Sequence, residues 1–278
     1  MKRFFFICLL LNFLLPQTVI AAHSLNKINS WLCYYKDTFP SSFSYNYDLY
    51  ILDRNSHPDL NAIKKHGGKS VGYVSFGEVN KHEAHYKETK MRKLIVDKNP
   101  SWPDAMRVQI GHKKWHDIIL NKVIPEIVAK GFDGIFIDTI DTAQYLENDK
   151  KLSGSISGAI SLIKKIRKKY PKLILVMNNG LFLLDHIGKH IDALVVEDVY
   201  TSYNFKKNKY QLAKSAWTKN RIIPLISFNT KFKKPVLPLE YLKGSDTKNI
   251  RKVTERAKSD GFIPYISDIH LTKIFYHP

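Results

Sequence analysis

The chain has 278 residues, with Lys+Arg 44 against Asp+Glu 25, a formal charge of +19 and 44% hydrophobic residues. That is apolar enough for a sizeable core and excludes disordered and collagen-like classes. Two cysteines exclude a disulfide scaffold, and no nucleic-acid motif accompanies the basic charge, so nucleic acid is not an expected partner.

The first 22 residues read as a secretory signal. Lys2 and Arg3 form a basic start, Phe4 to Leu15 an apolar run, and Ala21 and Ala22 the small residues for cleavage. The apolar run is short for a membrane anchor, and no later segment is long and apolar enough to span a bilayer. The expectation is a secreted or periplasmic protein with no stable membrane insertion after cleavage. Residues 23–278 then suit one barrel-sized domain, most simply a monomer. Cys33 is the one cysteine left, read as a buried strand residue and not a nucleophile. Without Lys2 and Arg3 the charge falls from +19 to +17, carried by scattered lysines such as Lys164, Lys165, Lys168 and Lys169. These read as a solvated surface, with attraction to an anionic polymer as the alternative.

Eight short apolar strands follow, each ending in polar residues: Trp31 to Lys36, Tyr47 to Asp53, Ser70 to Glu78, Gly134 to Asp138, Leu173 to Asn178, Ala193 to Glu197, Ile222 to Phe228 and Phe262 to Asp268. Helical patterns separate most of them. Pro58 to Lys65 has Ser56 as a cap candidate and closes at Gly67-Gly68. Trp115, Ile118, Ile119, Val123 and Ile127 recur at helical spacing, with Pro125 expected to kink the helix. Helices are also predicted over Ser153 to Lys169, Leu181 to Lys189, Asn208 to Lys219 and Thr247 to Ser259. Two connections are long, Val79 to Gly111, which holds Trp102 and is expected to cross the mouth, and Asn229 to Gly244. Strands alternating with helices eight times predict an α/β fold, a single (β/α)8 TIM barrel whose eighth helix is short or missing. A doubly wound open sheet is the competing architecture.

In a barrel the polar residues that end the strands converge on one mouth. Here they are Tyr34 and Tyr35, Asp53, Glu78, Asp138, Asn178 and Asn179, Glu197, Phe228 and Asp268. Several carboxylates and aromatics around one opening are the inventory of a carbohydrate site. No cluster has metal-ligand spacing, and there is no phosphate loop or nucleophile elbow, so neither metal nor cofactor is expected. Asp138 and Glu197 are the candidate catalytic pair. Each ends a buried strand, and period-two alternation places each on the same face as an inward residue, Phe136 or Val195. Strands four and six face one another across part of the mouth, within reach of a two-carboxylate mechanism. The competing readings are a helix-capping Asp138 and a solvated Glu197 at a strand end.

Four stretches carry a family resemblance: Gly-Tyr-Val-Ser-Phe-Gly-Glu (72 to 78), Gly-Phe-Asp-Gly-Ile-Phe-Ile-Asp-Thr-Ile-Asp (131 to 141), Asn-Asn-Gly (178 to 180) and Val-Glu-Asp-Val-Tyr (196 to 200). From about Trp31 to Asp268 the sequence resembles glycoside hydrolase family 114. That resemblance implies a secreted (β/α)8 endo-α-1,4-polygalactosaminidase cutting galactosamine-containing exopolysaccharide. It implies Asp138 as nucleophile and Glu197 as acid/base. It also implies substrate contacts from Tyr35, Asp53, Tyr73, Glu78, Asn179 and Tyr200, to which the end of strand eight adds Asp268. Two departures stand out: Asn80 replaces an acidic residue, and Val108 to Gly111 stands where the family tends to carry an Asp and an Arg. A barrel that binds glycan or an anionic envelope surface without cutting it is the alternative function.

Overall fold

The computed structural model of the protein describes residue 25 and residues 28–275. The expected signal segment lies outside the described residues. Eight strands form one sheet in which every paired neighbour is parallel: β1 (Trp31–Tyr34), β2 (Leu49–Leu52), β3 (Lys69–Ser75), β4 (Gly134–Asp138), β5 (Ile174–Asn178), β6 (Ala193–Glu197), β7 (Val236–Tyr241) and β8 (Tyr265–Ser267). Spatial order follows chain order. The first and last strands meet without a ladder. There the Trp31 indole donates to Ile263 O at 2.7 Å, its ring lies 5.4 Å from that of Tyr265, and Tyr35 N donates to Leu271 O at 2.8 Å. The sheet is therefore a nearly closed TIM barrel.

The strands are buried on both faces, which is why they read as continuous apolar runs and not as alternating ones. Gly134 opens β4 in register with Ile174 of β5. A Cβ there would lie 2.2 Å from Ile174 O, so no other residue fits without moving a strand.

Helices pack outside. Lys113–Ile118 and Ile124–Ala129 are joined by a π-helical turn, Ile119–Val123, which ends two residues before Pro125. The wide turn spares the proline ring a clash and sends Ile124 N to Ile119 O. The freed Leu120 carbonyl instead accepts from Lys169 Nζ and Tyr170 Oη, both at 3.0 Å, which ties this helix to the Ser155–Lys169 helix. Thr247–Ser259 begins at Asp246, whose side chain caps Asn249 N. Among the described residues no helix follows β8, and no helix is long and apolar enough to cross a membrane.

One strand lies elsewhere than expected. Ile222 to Phe228 belongs to a helix, Ser215–Phe232, and the seventh strand is Val236–Tyr241. Ile222, Leu225 and Phe228 are buried while Ile223 and Ile226 are exposed, a three-residue spacing that suits a helix and not a strand. Phe228 consequently leaves the rim. The expected Asn208 to Lys219 helix is divided, its first part forming a hairpin of Thr201–Asn204 with Lys209–Leu212. The long third connection folds as an antiparallel sheet of Glu78–Asn80, Ala105–Val108 and Ile95–Lys98 beside the mouth.

Candidate active site

β4, β5 and β6 are neighbours, and their last residues are Asp138, Asn178 and Glu197. The Asn178 amide nitrogen donates to Asp138 Oδ1 at 2.8 Å and to Glu197 Oε1 at 2.6 Å. Those two oxygens therefore stand no further apart than the sum of the bonds, 5.4 Å. Asp138 also accepts the Tyr73 hydroxyl, and Glu197 Oε2 accepts the Tyr241 hydroxyl at 2.7 Å. Burial raises the Glu197 pKa above the usual carboxylate range, and the negative charge of Asp138 adds to the shift. The Asn178 and Tyr241 donors work against that shift and do not reverse it. One carboxyl biased towards its acid form beside a second carboxyl is an arrangement that can protonate a leaving group on one side and attack or support its carbon on the other.

The backbone behind this row is held in an uncommon way. Thr139, Asn179 and Asp198, each directly after one of the three strand-ending residues, have φ of 55°, 52° and 54°. Left-handed backbone is unfavourable for non-glycine residues, most of all a β-branched one, so neighbours must enforce it. Thr139 Oγ1 meets Ser75 Oγ at 2.7 Å and accepts from Gly77 N at 2.9 Å. The segment after Glu197 has its polar groups taken from both sides. Arg221 donates to Glu197 O, Trp217 to Asp198 O and Thr218 to Val199 O, all from the Ser215–Phe232 helix. On the other side, the fully buried Glu240 carboxylate accepts the N–H groups of Val199, Tyr200 and Thr201 and the Thr201 hydroxyl.

The row lies in a cleft of about 770 Å³. Of the residues expected to bind substrate, Tyr35, Asp53, Tyr73, Glu78 and Asn179 line it together with Asp138 and Glu197. Tyr200 and Asp268 are not among its walls. The Tyr200 hydroxyl donates to Asp260 at 2.9 Å, and the Asp268 carboxylate accepts Thr272 N at 2.8 Å and Lys273 N at 2.9 Å, folding the turn after β8. Tyr241 was hidden because its strand was read as a connection. Asn178 was legible as a rim residue but not as the bridge between the carboxyl groups.

The mouth sheet adds further groups. Asn99 donates to Glu78 at 2.7 Å. Arg107 reaches Asp97 at 3.1 Å and stacks on Tyr145, 4.1 Å from the ring centre. Arg107, one residue before the Val108 to Gly111 stretch, thus pairs with an Asp on the neighbouring strand, and Arg107 and Asn80 line the cleft. Trp102 and Phe205, 54% and 62% exposed, come from the mouth sheet and the hairpin and meet edge to face at 6.3 Å. Among the described residues no group of three or more His, Cys, Asp and Glu side chains is set to hold a metal.

Tyr241→Phe removes a donor that favours ionised Glu197. The Glu197 pKa then rises further, so the alkaline limb of the pH–rate profile moves to higher pH, and kcat falls about ten-fold. A profile with an unmoved limb would separate Tyr241 from the titration of Glu197.

Solved structures share this barrel. The glycoside hydrolase domain of PelA from Pseudomonas aeruginosa superposes with a TM-score of 0.79 at 20% identity, covering 88% of this chain and 97% of that one. Aspergillus fumigatus Ega3, solved in complex with galactosamine, gives 0.70 at 17% identity, over 89% and 94%. In sequence, an uncharacterized protein of Thermotoga maritima is 25% identical over 224 residues, 73% of this chain and 67% of that protein, so the chain spans about two thirds of that relative's length. The family model for glycoside-hydrolase family GH114 matches residues 17–278, which takes in all eight barrel strands and both carboxylates. The chain belongs to glycoside-hydrolase family GH114 and is a glycosidase.

Proposed function

We propose that the protein is an exported, endo-acting, retaining glycosidase that cuts α-1,4-linked galactosamine-containing polysaccharide, with Asp138 as nucleophile and Glu197 as acid/base. The observation that carries this reading is the single Asn178 amide bonded to both carboxylates. Retaining enzymes hold their carboxyl groups about 5–5.5 Å apart, whereas inverting enzymes need roughly 6.5–9.5 Å to admit a water. The two oxygens that share the donor lie within 5.4 Å of each other, which supports the shorter of these spacings. In the first step an Asp138 oxygen attacks the anomeric carbon while Glu197 passes its proton to the departing glycosidic oxygen. The product is a glycosyl ester on Asp138 and a free chain end. In the second step Glu197, now ionised, takes a proton from water, whose oxygen displaces Asp138 from the same carbon. The configuration is inverted twice and so kept.

The galactosamine in the Ega3 complex supports an amino-sugar substrate, and the charge distribution supports the same class. A chain at +19 should repel a cationic polymer, but its cleft is lined by Asp53, Glu78, Asp138, Asp141 and Glu197 against Arg107. A carboxylate-rich cleft focuses a local field opposite in sign to the overall charge. Export rests on the signal-like residues 1–22, with 23–278 as the catalytic domain.

The test is to incubate the protein with galactosamine polymers of graded N-acetylation and identify the fragments by mass, following the anomeric configuration of the first product by NMR. Internal fragments with retained configuration are expected. Glycan binding with no product after prolonged incubation would make this a non-catalytic glycan-binding barrel, and an inverted first product would remove Asp138 as nucleophile.

A further inference from the structure

A second cleft of about 530 Å³ opens beside the first, within the range of small-ligand sites. Asp141, Asn179 and Glu197 border both, so the two adjoin at the acid/base residue. Its remaining walls include Gln144, Asp198, Trp217 and Arg221. These side chains have duties that leave specific groups over. Trp217 gives its indole N–H to Asp198 O at 2.7 Å, which fixes the ring. Arg221 stacks on one face, 5.1 Å from the ring centre, yet Trp217 is still 49% exposed. The Arg221 guanidinium is turned towards Asn179 Oδ1 at 3.0 Å and Glu197 O at 2.9 Å. The backbone of Asp198 is clamped, but its carboxyl Oδ1 is buried with no hydrogen-bond partner. Burial and the neighbouring Glu197 push that carboxyl up to about 7, with Arg221 opposing.

A partnerless buried carboxyl oxygen costs free energy that a donor would recover. Three carboxyl groups against one guanidinium make the cleft unsuited to an anion. A fixed, half-exposed indole is a flat apolar platform of the kind that accepts the face of a sugar ring. We infer that this second cleft is a further subsite for the same polymer, taking one unacetylated hexosamine ring on Trp217 with its ammonium group at Asp198. The inference rests on the amino-sugar reading above and adds to it a discrimination. An N-acetylated ring carries a neutral amide there and cannot form the ion pair. The polymer would run from the main cleft over Asn179 and Glu197, so the subsite is filled only once a chain is long enough to cross them.

The experiment uses Asp138→Asn protein, whose substituted residue lies outside the second cleft and whose cutting is slowest, titrated calorimetrically with α-1,4-galactosamine oligomers of graded length in unacetylated and fully N-acetylated series. The unacetylated series is expected to tighten about ten-fold at the length that first reaches the second cleft, the order of one hydrogen bond to a charged group. Trp217 fluorescence should change at the same length. That step should vanish in the N-acetylated series, in Asp198→Asn, which is nearly isosteric, and in Gln144→Trp, which fills the cleft from its rim. A smooth length dependence, or a step that survives Asp198→Asn, overturns the subsite. If unacetylated oligomers bind and the unmodified protein cuts them but no Asp198-dependent step is found, the subsite alone falls. If no galactosamine oligomer binds at any length, the substrate class falls with it.

Discussion

Asp138→Asn is expected to lower hydrolysis of a galactosamine polymer by on the order of 10⁵-fold, the scale of losing a covalent nucleophile. Glu197→Gln is expected to lower it by about 10³-fold, the scale of losing one acid/base group. Both substitutions keep shape and volume, so circular dichroism and melting should stay close to the parent. The two losses are told apart by an aryl glycoside whose leaving group departs without a proton. Glu197→Gln should still release the aryl group in a burst and then stall, because the glycosyl ester forms without acid help and waits for a base. Asp138→Asn should release nothing, because no ester can form. Added azide, a nucleophile that needs no base, should restart turnover in the Glu197 variant. The opposite pattern would exchange the two roles, and full activity in either variant would end the carboxylate-pair mechanism.

The second large effect concerns a residue outside the cleft. Glu240→Leu leaves three backbone N–H groups and the Thr201 hydroxyl facing an apolar side chain in a fully buried place. Each stranded donor costs about 1–3 kcal/mol, so a total of about 4 kcal/mol is a fair expectation. For a domain of this size that lowers Tm by roughly 8–16 °C. Activity should fall further than stability alone explains. Thr201 Oγ1 accepts Tyr241 N at 3.0 Å, and the Tyr241 hydroxyl donates to Glu197, so releasing Thr201 loosens the support of the Glu197 carboxyl. Glu240→Gln keeps one acceptor oxygen and should lie between. Glu255→Leu breaks only an exposed ion pair with Arg251 and should move Tm by little. A Glu240→Leu protein that melts and works like the parent would show that the loop after β6 holds itself.

The barrel class, seven of its strands and the rim position of Asp138 and Glu197 were legible because burial on both faces writes a continuous apolar pattern. Val-Val-Glu and Ile-Phe-Ile-Asp each end a continuous apolar run on a charge, and a charge at that point must be at a rim or at work. β7 was not legible for an equally physical reason. Val-Leu-Pro-Leu-Glu-Tyr contains a proline, which normally argues against an inner strand, yet Pro238 sits in register opposite Val196. Its Glu240, inside the stretch read as a connection, is fully buried under the loop it holds. The run from Ile222 to Phe228 offered a better imitation of a strand, because exposed isoleucines on a helix cannot be distinguished from buried ones by composition. With β7 misplaced, Tyr241 had no reason to be near the mouth. Tyr200 and Asp268 sit next to strand ends, but position along the chain says nothing about which way a side chain turns once its strand has ended. Only the contacts to Asp260 and to the turn after β8 do so.

The three left-handed residues at the rim also bear on how such a protein can be made hardier. At each, glycine would adopt the same backbone without a penalty of roughly 1 kcal/mol, at the loss of the side-chain bonds that Thr139 and Asn179 make. Thr139, Asn179 and Asp198 are thus places where the molecule is less stable than its fold allows, and they are clustered where the carboxylates are aimed. Heat resistance gained there would come out of the stiffness that keeps Asp138, Asn178 and Glu197 in line. Searches for a tougher version should leave this arc alone and work on the exposed isoleucines of the Ser215–Phe232 helix, Ile223 and Ile226, which no neighbour in the barrel requires.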